Sequence, residues 1–183
     1  MTTDDFLHDS WTVYFHDPDD SNWTLQSYDR LADISSLEDF WGIHTPLLPV
    51  IVHGMFFVMR ENVFPCWDDA ANINGGCVSA KVSMEFVPAL WDELLKRMVG
   101  ETLVICAPKA TARVTVNGMS VSPKRGFCVI KIWLGDNVLE NECIRDHLRI
   151  PDAYTGDIVY RRNLDNIQMD SAKLPGRTPV PST

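Results

Sequence analysis

Apolar and polar residues alternate along several short segments of this chain, which is the period of a β-strand. Between Trp11 and His16 the apolar side chains fall at every second position, so this segment predicts a strand. Similar alternation, or a short apolar run bounded by turn residues, predicts further strands at 55–59, 78–84, 112–116, 127–133 and 157–160, with 63–64 as the return of the first of these. Residues 117 and 118, Asn-Gly, predict a turn.

Three other segments show helical spacing. The first helix is predicted to begin at Ser35, whose hydroxyl can cap it, and Glu38 completes a capping box three residues later. A second helix begins at Pro88 and stops at Gly100, with its apolar residues in one stripe. A third is predicted at about 138–148. Hairpin strands with inserted helices predict an α+β fold, with a single curved antiparallel sheet and about three helices packed on its convex face.

One domain accounts for most of the 183 residues, a length that can bury a good core. Residues 10–169 carry all the predicted elements and form this domain. Residues 1–9 are polar and predict a flexible N-terminus. From residue 170 to 183 the chain is rich in proline, serine and threonine, which predicts a flexible tail.

Charge and cysteine content narrow the function. The net charge of −9 argues against a protein that grips nucleic acid mainly through its phosphates, because such proteins carry a basic face. The five cysteines include no Cys-x-x-Cys pair, so neither zinc nor another metal or cofactor is predicted. An odd number of cysteines and the lack of a secretory-type leader predict reduced thiols in the cytoplasm, with the nucleus as a further location.

Two of the six tryptophans lie in predicted loops among polar residues. Trp23 follows the turn 17–21, and Trp67 is followed directly by Asp68 and Asp69. Two flat rings and a carboxylate can hold a methylated guanine, because the rings stack on the charged base and the carboxylate accepts two hydrogen bonds from its edge. From the residues alone, a structural role for these tryptophans is equally well supported.

The order of these segments resembles the translation initiation factor 4E family over residues 8–165. The matching segments, in chain order, are 11–15 (Trp-Thr-Val-Tyr-Phe), Trp23, 38–41 (Glu-Asp-Phe-Trp), 65–69 (Pro-Cys-Trp-Asp-Asp), 75–76 (Gly-Gly), 90–101 (Leu-Trp to Gly-Glu) and 131–133 (Lys-Ile-Trp). The resemblance implies a protein that binds the 7-methylguanosine cap of mRNA and recruits the mRNA for translation initiation. It implies that Trp23 and Trp67 stack on the guanine, that Asp68 reads its edge and that Trp133 touches the N7 methyl group.

The phosphate-binding positions depart from the family pattern. Asp68 departs from it too, because the family usually has a glutamate at this position. Lys131 is two residues from Trp133, so a strand places both on one face. Lys124 and Arg125 lie at a predicted hairpin tip. These three basic residues are the expected phosphate contacts.

A second surface follows from the same resemblance. Leu37 and Trp41 match the outer surface that docks an initiation factor 4G type scaffold, or a repressor peptide with a Tyr-x-x-x-x-Leu-apolar motif. Asp92 and Glu93 stand on the neighbouring helix and favour a partner with basic residues beside its apolar anchors.

Three alternatives remain open from the sequence. The chain could be a translational repressor or a specialised paralogue that binds a hypermethylated cap. It could be a reader of methylated lysine, which uses similar tryptophan and acid chemistry. A nucleotide hydrolase using Asp68, Asp69 or Glu85 is disfavoured, because the sequence has neither a Gly-rich phosphate loop nor a His-Glu-x-x-His cluster. A binding protein rather than an enzyme is therefore expected.

Overall fold

In the part of the chain that the structure describes, seven antiparallel strands form one sheet, in the order β2-β1-β3-β5-β6-β4-β7. The structure is a computed structural model that describes residues 5–104, 114–136 and 147–173. The strands are β1 (Phe6–His16), β2 (Tyr28–Ser36), β3 (Met55–Arg60), β4 (Gly76–Ser83), β5 (Val116–Lys124), β6 (Phe127–Leu134) and β7 (Ile158–Arg162). Longer helices in the described ranges are α1 (Leu37–Leu47), α2 (Val87–Val99) and α3 (Asn163–Lys173). The predicted α+β fold with a single antiparallel sheet is confirmed.

The N-terminus of α1 shows a capping box one residue later than the sequence predicts. The Ser36 hydroxyl accepts a hydrogen bond from the Asp39 backbone N–H at 3.1 Å, and the Asp39 carboxylate accepts one from the Ser36 N–H at 3.1 Å. The predicted pairing of Ser35 with Glu38 is therefore wrong. Asp39 also accepts hydrogen bonds from the N–H and hydroxyl of Ser35, so one carboxylate binds both serines. These hydrogen bonds keep the pKa of Asp39 below its ordinary value.

Several element bounds differ from the predictions. The predicted turn at Asn117–Gly118 lies inside β5, where Gly118 pairs with Met59 of β3 and with Trp133 of β6, and the β5–β6 register shifts between Val116 and Gly118. The predicted return strand at 63–64 is part of a loop from 61 to 75. Residues 6–9 belong to β1, and α3 crosses the predicted boundary at residue 170. Most of the predicted helix at 138–148, the beginning of the predicted strand at 112–116, the first four residues and the tail from residue 174 lie outside the described residues.

The main core lies between α1, α2 and one face of the sheet, here called the helix face. It is formed by inward side chains of alternate strand positions and by the apolar stripe of α2, including Val13, Val58, Trp91, Leu94 and Ile130. Full burial of each such side chain contributes on the order of 1.5–3 kcal/mol to folding. None of the helices in the described ranges is long and apolar enough to cross a membrane.

The opposite face, here called the open face, carries the polar and aromatic residues of the alternating strands. Strand register places Tyr14, Phe57, Ser120, Lys131 and Ser79 in one row across β1, β3, β5, β6 and β4. The next row on β6 contains Trp133, which is opposite Cys77 and Gly118. Directly opposed residues of paired strands point to the same face, so Lys131 and Trp133 both belong to the open face.

Candidate functional site

The loop from 61 to 75 is fixed to the rest of the protein by a buried asparagine. The Asn72 side-chain amide donates to the carbonyl oxygens of Phe64 and Cys66, at 3.0 and 2.9 Å. Its side-chain oxygen accepts from Asn117 of β5 at 3.0 Å, and its backbone oxygen accepts from Asn163 of α3 at 2.6 Å. All three asparagines are buried, so the loop is tied both to the sheet and to the C-terminal helix.

Asp69 and Gly75 shape the same loop from within. The Asp69 carboxylate accepts from the backbone N–H groups of Phe64 and Ala71, at 3.2 and 2.9 Å. At Gly75 a Cβ atom would stand 1.8 Å from the Leu134 carbonyl oxygen, so only glycine allows this close approach. Asp69 is thus engaged within the loop, whereas the neighbouring Asp68 is exposed.

The side chain of Trp67 extends from this loop over the open face and is half buried. Its ring stacks on Trp133 with 4.4 Å between centroids and 22° between planes. The Lys131 ammonium lies over the same ring, 4.4 Å from its centroid. The indole N–H of Trp67 donates to the Asp170 carboxylate of α3 at 3.1 Å. Trp133 is buried beneath and donates to the Ser120 hydroxyl at 3.0 Å.

Lys131 is a half-buried cation beside the Trp67 ring. Its pKa lies below the ordinary value for lysine because burial penalises the charged form, and the nearby carboxylate of Asp170 partly offsets this. Lys124 and Arg161 add positive potential around the same amine. This corner of the open face can therefore attract an anionic group, although the net charge of the chain is negative.

Trp23 is positioned by His16, the last residue of β1. The His16 ring is buried and stacks on Trp23 with 4.1 Å between centroids and 5° between planes. Its Nδ1 is 2.8 Å from the Asp17 carbonyl oxygen and its Nε2 is 2.8 Å from the Asn22 carbonyl oxygen. The turn thus wraps around the imidazole, and it leaves Trp23 with 37% of its surface exposed.

The two tryptophan loops meet through Tyr28. The Tyr28 ring lies 6.3 Å from Trp23 and 4.9 Å from Phe64, and its hydroxyl donates to the Pro65 carbonyl oxygen at 3.3 Å. Trp23 and Trp67 each stack on a ring of the protein itself, His16 and Trp133 respectively. The predicted stacking partners are therefore linked within one aromatic cluster, each with a protein ring against it.

Cys66 precedes Trp67 and interacts with Asp68. Burial raises the pKa of the Cys66 thiol to about 12, and a hydrogen bond to the Asp68 carboxylate contributes to the same shift. At neutral pH Cys66 is therefore a protonated thiol close to the Asp68 carboxylate.

Alkylation of Cys66 tests this contact. A thiol with this pKa is ionised to only about one part in ten thousand at pH 8, so iodoacetamide should modify Cys66 very slowly. Asp68→Ala removes the acceptor and the negative charge, and it should increase the rate several-fold. The rate is measured by mass spectrometry of the peptide that contains Cys66, with the buried Cys128 as the internal control. An unchanged rate in Asp68→Ala would show that the two side chains do not interact.

The remaining predicted phosphate contacts lie farther along the open face. Lys124 ends β5 on this face, four residues beyond Ser120 and thus about 13 Å along the strand. Arg125 is exposed in the β5–β6 turn, which Gly126 closes with a φ of 84°. Arg161 of β7 is opposite Cys77, in the same row as Trp133. Lys131 is the only one of the three predicted basic residues that the structure brings to Trp67.

A known protein family matches most of this chain. The family model described as "Eukaryotic initiation factor 4E" matches residues 6–174. The chain belongs to the eukaryotic initiation factor 4E family. It is 24% identical over 153 residues to eukaryotic translation initiation factor 4E1 of Drosophila melanogaster, covering 80% of this chain. The chain spans 56–64% of the length of the curated relatives that it matches most strongly.

Solved structures of initiation factor 4E proteins share the fold. The C. elegans eIF4E-3 in complex with the 4E-binding protein Mextli superposes with a TM-score of 0.70 at 19% identity, covering 90% of this chain and 96% of that chain. The Ascaris suum eIF4E-3 in complex with m7G cap superposes with a TM-score of 0.67 at 20% identity, covering 87% and 92%. These likenesses establish the fold of this initiation factor 4E family member.

A second surface of this family member lies on α1 and α2. Leu37 and Trp41 are exposed, at 43% and 48%, while the neighbouring Phe40 is buried in the core, as the sequence predicts. The Lys96 ammonium of α2 lies 5.5 Å from the Trp41 ring centroid. Trp41 is thus a large apolar side chain at the surface with a cation beside it.

The two acids predicted for this surface are paired within α2. Asp92 accepts from Lys96 at 2.8 Å and contacts Nε2 of the buried His44 at 2.8 Å, and Glu93 pairs with Arg97 at 2.6 Å. Burial opposes ionisation of Asp92, but the hydrogen bonds from Lys96 and His44 outweigh it and keep the pKa below its ordinary value. The surface is therefore a network of paired charges, not the bare acidic patch that the sequence suggests.

Sequence reasoning missed three residues of the site: His16, Cys66 and Asp170. His16 fits the alternation of β1, and its stacking on Trp23 depends on the path of the following turn. Asp170 falls in the segment predicted as a flexible tail. A signal for it existed, because Asn163 and Asp170 are seven residues apart and would share one face of a helix.

Proposed function

We propose that this family member binds the 7-methylguanosine cap of mRNA on its open face, at Trp23, Trp67 and Asp68. The observation that carries the proposal is the Trp67 loop. Buried Asn72 holds this loop in place, and the loop presents the indole of Trp67 and, on the next residue, the exposed carboxylate of Asp68. The Ascaris suum relative, which binds m7G cap in its solved structure, supports the same ligand for this chain. The protein acts by binding and is not an enzyme.

The methylated base enters between the two tryptophans. The base stacks against both indoles, and its positive charge adds a cation–π contribution of about 0.5–2 kcal/mol. The Lys131 ammonium now lies over Trp67, and the base displaces it from the ring. The released amine then meets the phosphate chain, with Lys124 and Arg125 farther along the same face.

Asp68 reads the guanine edge. Its carboxylate accepts from the ring N–H and the exocyclic amine, and the positive ring strengthens both hydrogen bonds. Aspartate is one methylene shorter than the glutamate usual in the family. The protonated Cys66 thiol lies close to this shorter side chain and can donate a hydrogen bond that restrains it.

The surface of Leu37 and Trp41 docks the protein partner. A scaffold of the initiation factor 4G type, or a repressor peptide with a Tyr-x-x-x-x-Leu-apolar motif, would lay its apolar residues against Trp41. The solved complex of the C. elegans relative with the 4E-binding protein Mextli supports a partner of this kind. Through it the protein brings capped mRNA to translation initiation.

Asp68→Asn tests the proposed recognition of the base. The substitution removes the charge and one half of the paired acceptor, so the affinity for 7-methyl-GTP should fall by about 1.5–3 kcal/mol, the usual contribution of hydrogen bonds to a charged group. Isothermal titration calorimetry measures the loss. Asp68→Glu is the matched control and should retain most of the affinity, because it keeps both oxygens.

Asp69→Asn completes this experiment. Asp69 accepts two backbone N–H groups within the loop, so its substitution should lower the melting temperature as well as the affinity. If Asp68→Asn binds like the wild type while Asp69→Asn loses affinity at unchanged stability, the carboxylate that reads the guanine is Asp69.

A further inference from the structure

The C-terminal helix α3 and the Trp67 loop form one structural unit. The backbone N–H of Asn163 donates to the Gly75 carbonyl oxygen at 3.0 Å, and its buried side chain donates to the Asn72 carbonyl oxygen at 2.6 Å. Arg162 and Asp165 pair at 2.8 Å across the start of the helix. The first turn of α3 is therefore anchored on the loop that presents Trp67.

Asp170 lies on the same face of α3 as this anchor. Seven residues separate Asn163 from Asp170, which is two helical turns and about 10 Å along the axis. At that distance the Asp170 carboxylate meets the indole N–H of Trp67, 3.1 Å away and 103 residues distant in sequence. The loop is thus bound to α3 at the helix start and again through the Trp67 side chain.

This second contact fixes the orientation of the ring. Stacking on Trp133 defines the plane of the indole but allows rotation within that plane. A hydrogen bond from the indole N–H to a carboxylate removes this freedom, because an N–H donates along one direction only. An oriented ring loses less conformational entropy when a ligand stacks on it.

From these contacts we infer that Asp170 is a positioning residue for the nucleotide site, acting through its hydrogen bond to Trp67. This inference rests on the proposed binding of a 7-methylguanine ligand. The role requires an acceptor atom at this position and does not require the negative charge. Asparagine should therefore replace Asp170, whereas alanine should not.

The test measures the binding of the nucleoside 7-methylguanosine to Asp170→Ala and to Asp170→Asn. This nucleoside carries no phosphate, and both variants remove the same negative charge, so a difference between them reports on the acceptor atom alone. Asp170→Ala should bind several-fold more weakly than the wild type, up to about tenfold, which is the usual cost of ordering one side chain on binding. Asp170→Asn should bind within about twofold of the wild type, since its amide oxygen still accepts from the indole. Asp165→Ala is the matched control, because it also removes a carboxylate from α3. It breaks the pair with Arg162 of β7 and should bind like the wild type.

A second measurement reports on the contact without a ligand. In ¹H–¹⁵N spectra the indole N–H signal of Trp67 should shift strongly in Asp170→Ala and little in Asp170→Asn, at an unchanged melting temperature. Wild-type affinity in Asp170→Ala, or equal losses in the two variants, would overturn the inference. If the wild-type protein does not bind 7-methylguanosine or 7-methyl-GTP, the proposed function itself fails, and the indole signal then shows separately whether Asp170 holds Trp67.

Discussion

Trp67→Ala should lower the affinity of this protein for 7-methyl-GTP by about 1–3 kcal/mol, the usual contribution of one aromatic stacking partner. The upper part of this range is expected, because Trp67 also covers Trp133 and carries Lys131 over its ring. Removing the indole thus takes away the stacking surface and disturbs the neighbouring amine at the same time. Isothermal titration calorimetry measures the change.

Trp23→Ala should lower the affinity for 7-methyl-GTP by a similar amount, for a different reason. It leaves the Trp67 loop unchanged and removes only the ring that rests on His16. Trp41→Ala is the matched control for both, because it removes an exposed tryptophan on the side of the helices and should bind the nucleotide like the wild type. If Trp23→Ala retains full affinity while Trp67→Ala loses it, the base stacks on one tryptophan and the sandwich is wrong.

Trp41→Ala should reduce the affinity for the partner protein by 2 kcal/mol or more, since a partly exposed tryptophan in an apolar patch is a common hot spot. The experiment uses a synthetic peptide with the Tyr-x-x-x-x-Leu-apolar motif and measures its binding by fluorescence anisotropy. The melting temperature should stay near that of the wild type, because Trp41 is 48% exposed while its neighbour Phe40 fills the core.

The charges around Trp41 supply a second variable for this experiment. Lys96→Ala removes the ammonium from the Trp41 ring and one partner of Asp92, so it uncovers both the ring and an acidic group. A peptide with basic flanks should bind this variant more tightly than the wild type. Loss of nucleotide affinity together with early melting in Trp41→Ala would contradict the docking surface and show that Trp41 supports the fold.

Much of the fold follows from local patterns in the sequence. The alternation in β1 and the stripe of α2 are strong because each places apolar side chains on the helix face. The full length of β5 could not be predicted from such patterns, because Asn117–Gly118 has the composition of a turn. In the structure, pairing of β5 with β3 and β6 keeps the chain extended here. α3 is mostly polar, and what secures it is the buried contact of Asn163 with the Trp67 loop.

The residues of the candidate site also fall into those that the sequence predicts and those that it does not. Trp67 and Asp68 could be predicted because they are neighbours in sequence and match a motif. Trp133 and Lys131 could be placed together by strand period alone. His16 and Cys66 were missed because their roles depend on the local path of the turn and of the Trp67 loop, and Asp170 because its partner Trp67 is 103 residues away.

The most direct test of the central claim is a titration of the wild-type protein with 7-methyl-GTP and with GTP, followed by tryptophan fluorescence. The two nucleotides differ in the N7 methyl group and the positive charge that it gives the base. Stacking between Trp23 and Trp67 predicts quenched fluorescence and an affinity for 7-methyl-GTP at least about tenfold higher, because the cation–π contribution and the strengthened hydrogen bonds to Asp68 together favour only the charged base. Equal affinity for the two nucleotides would contradict the account.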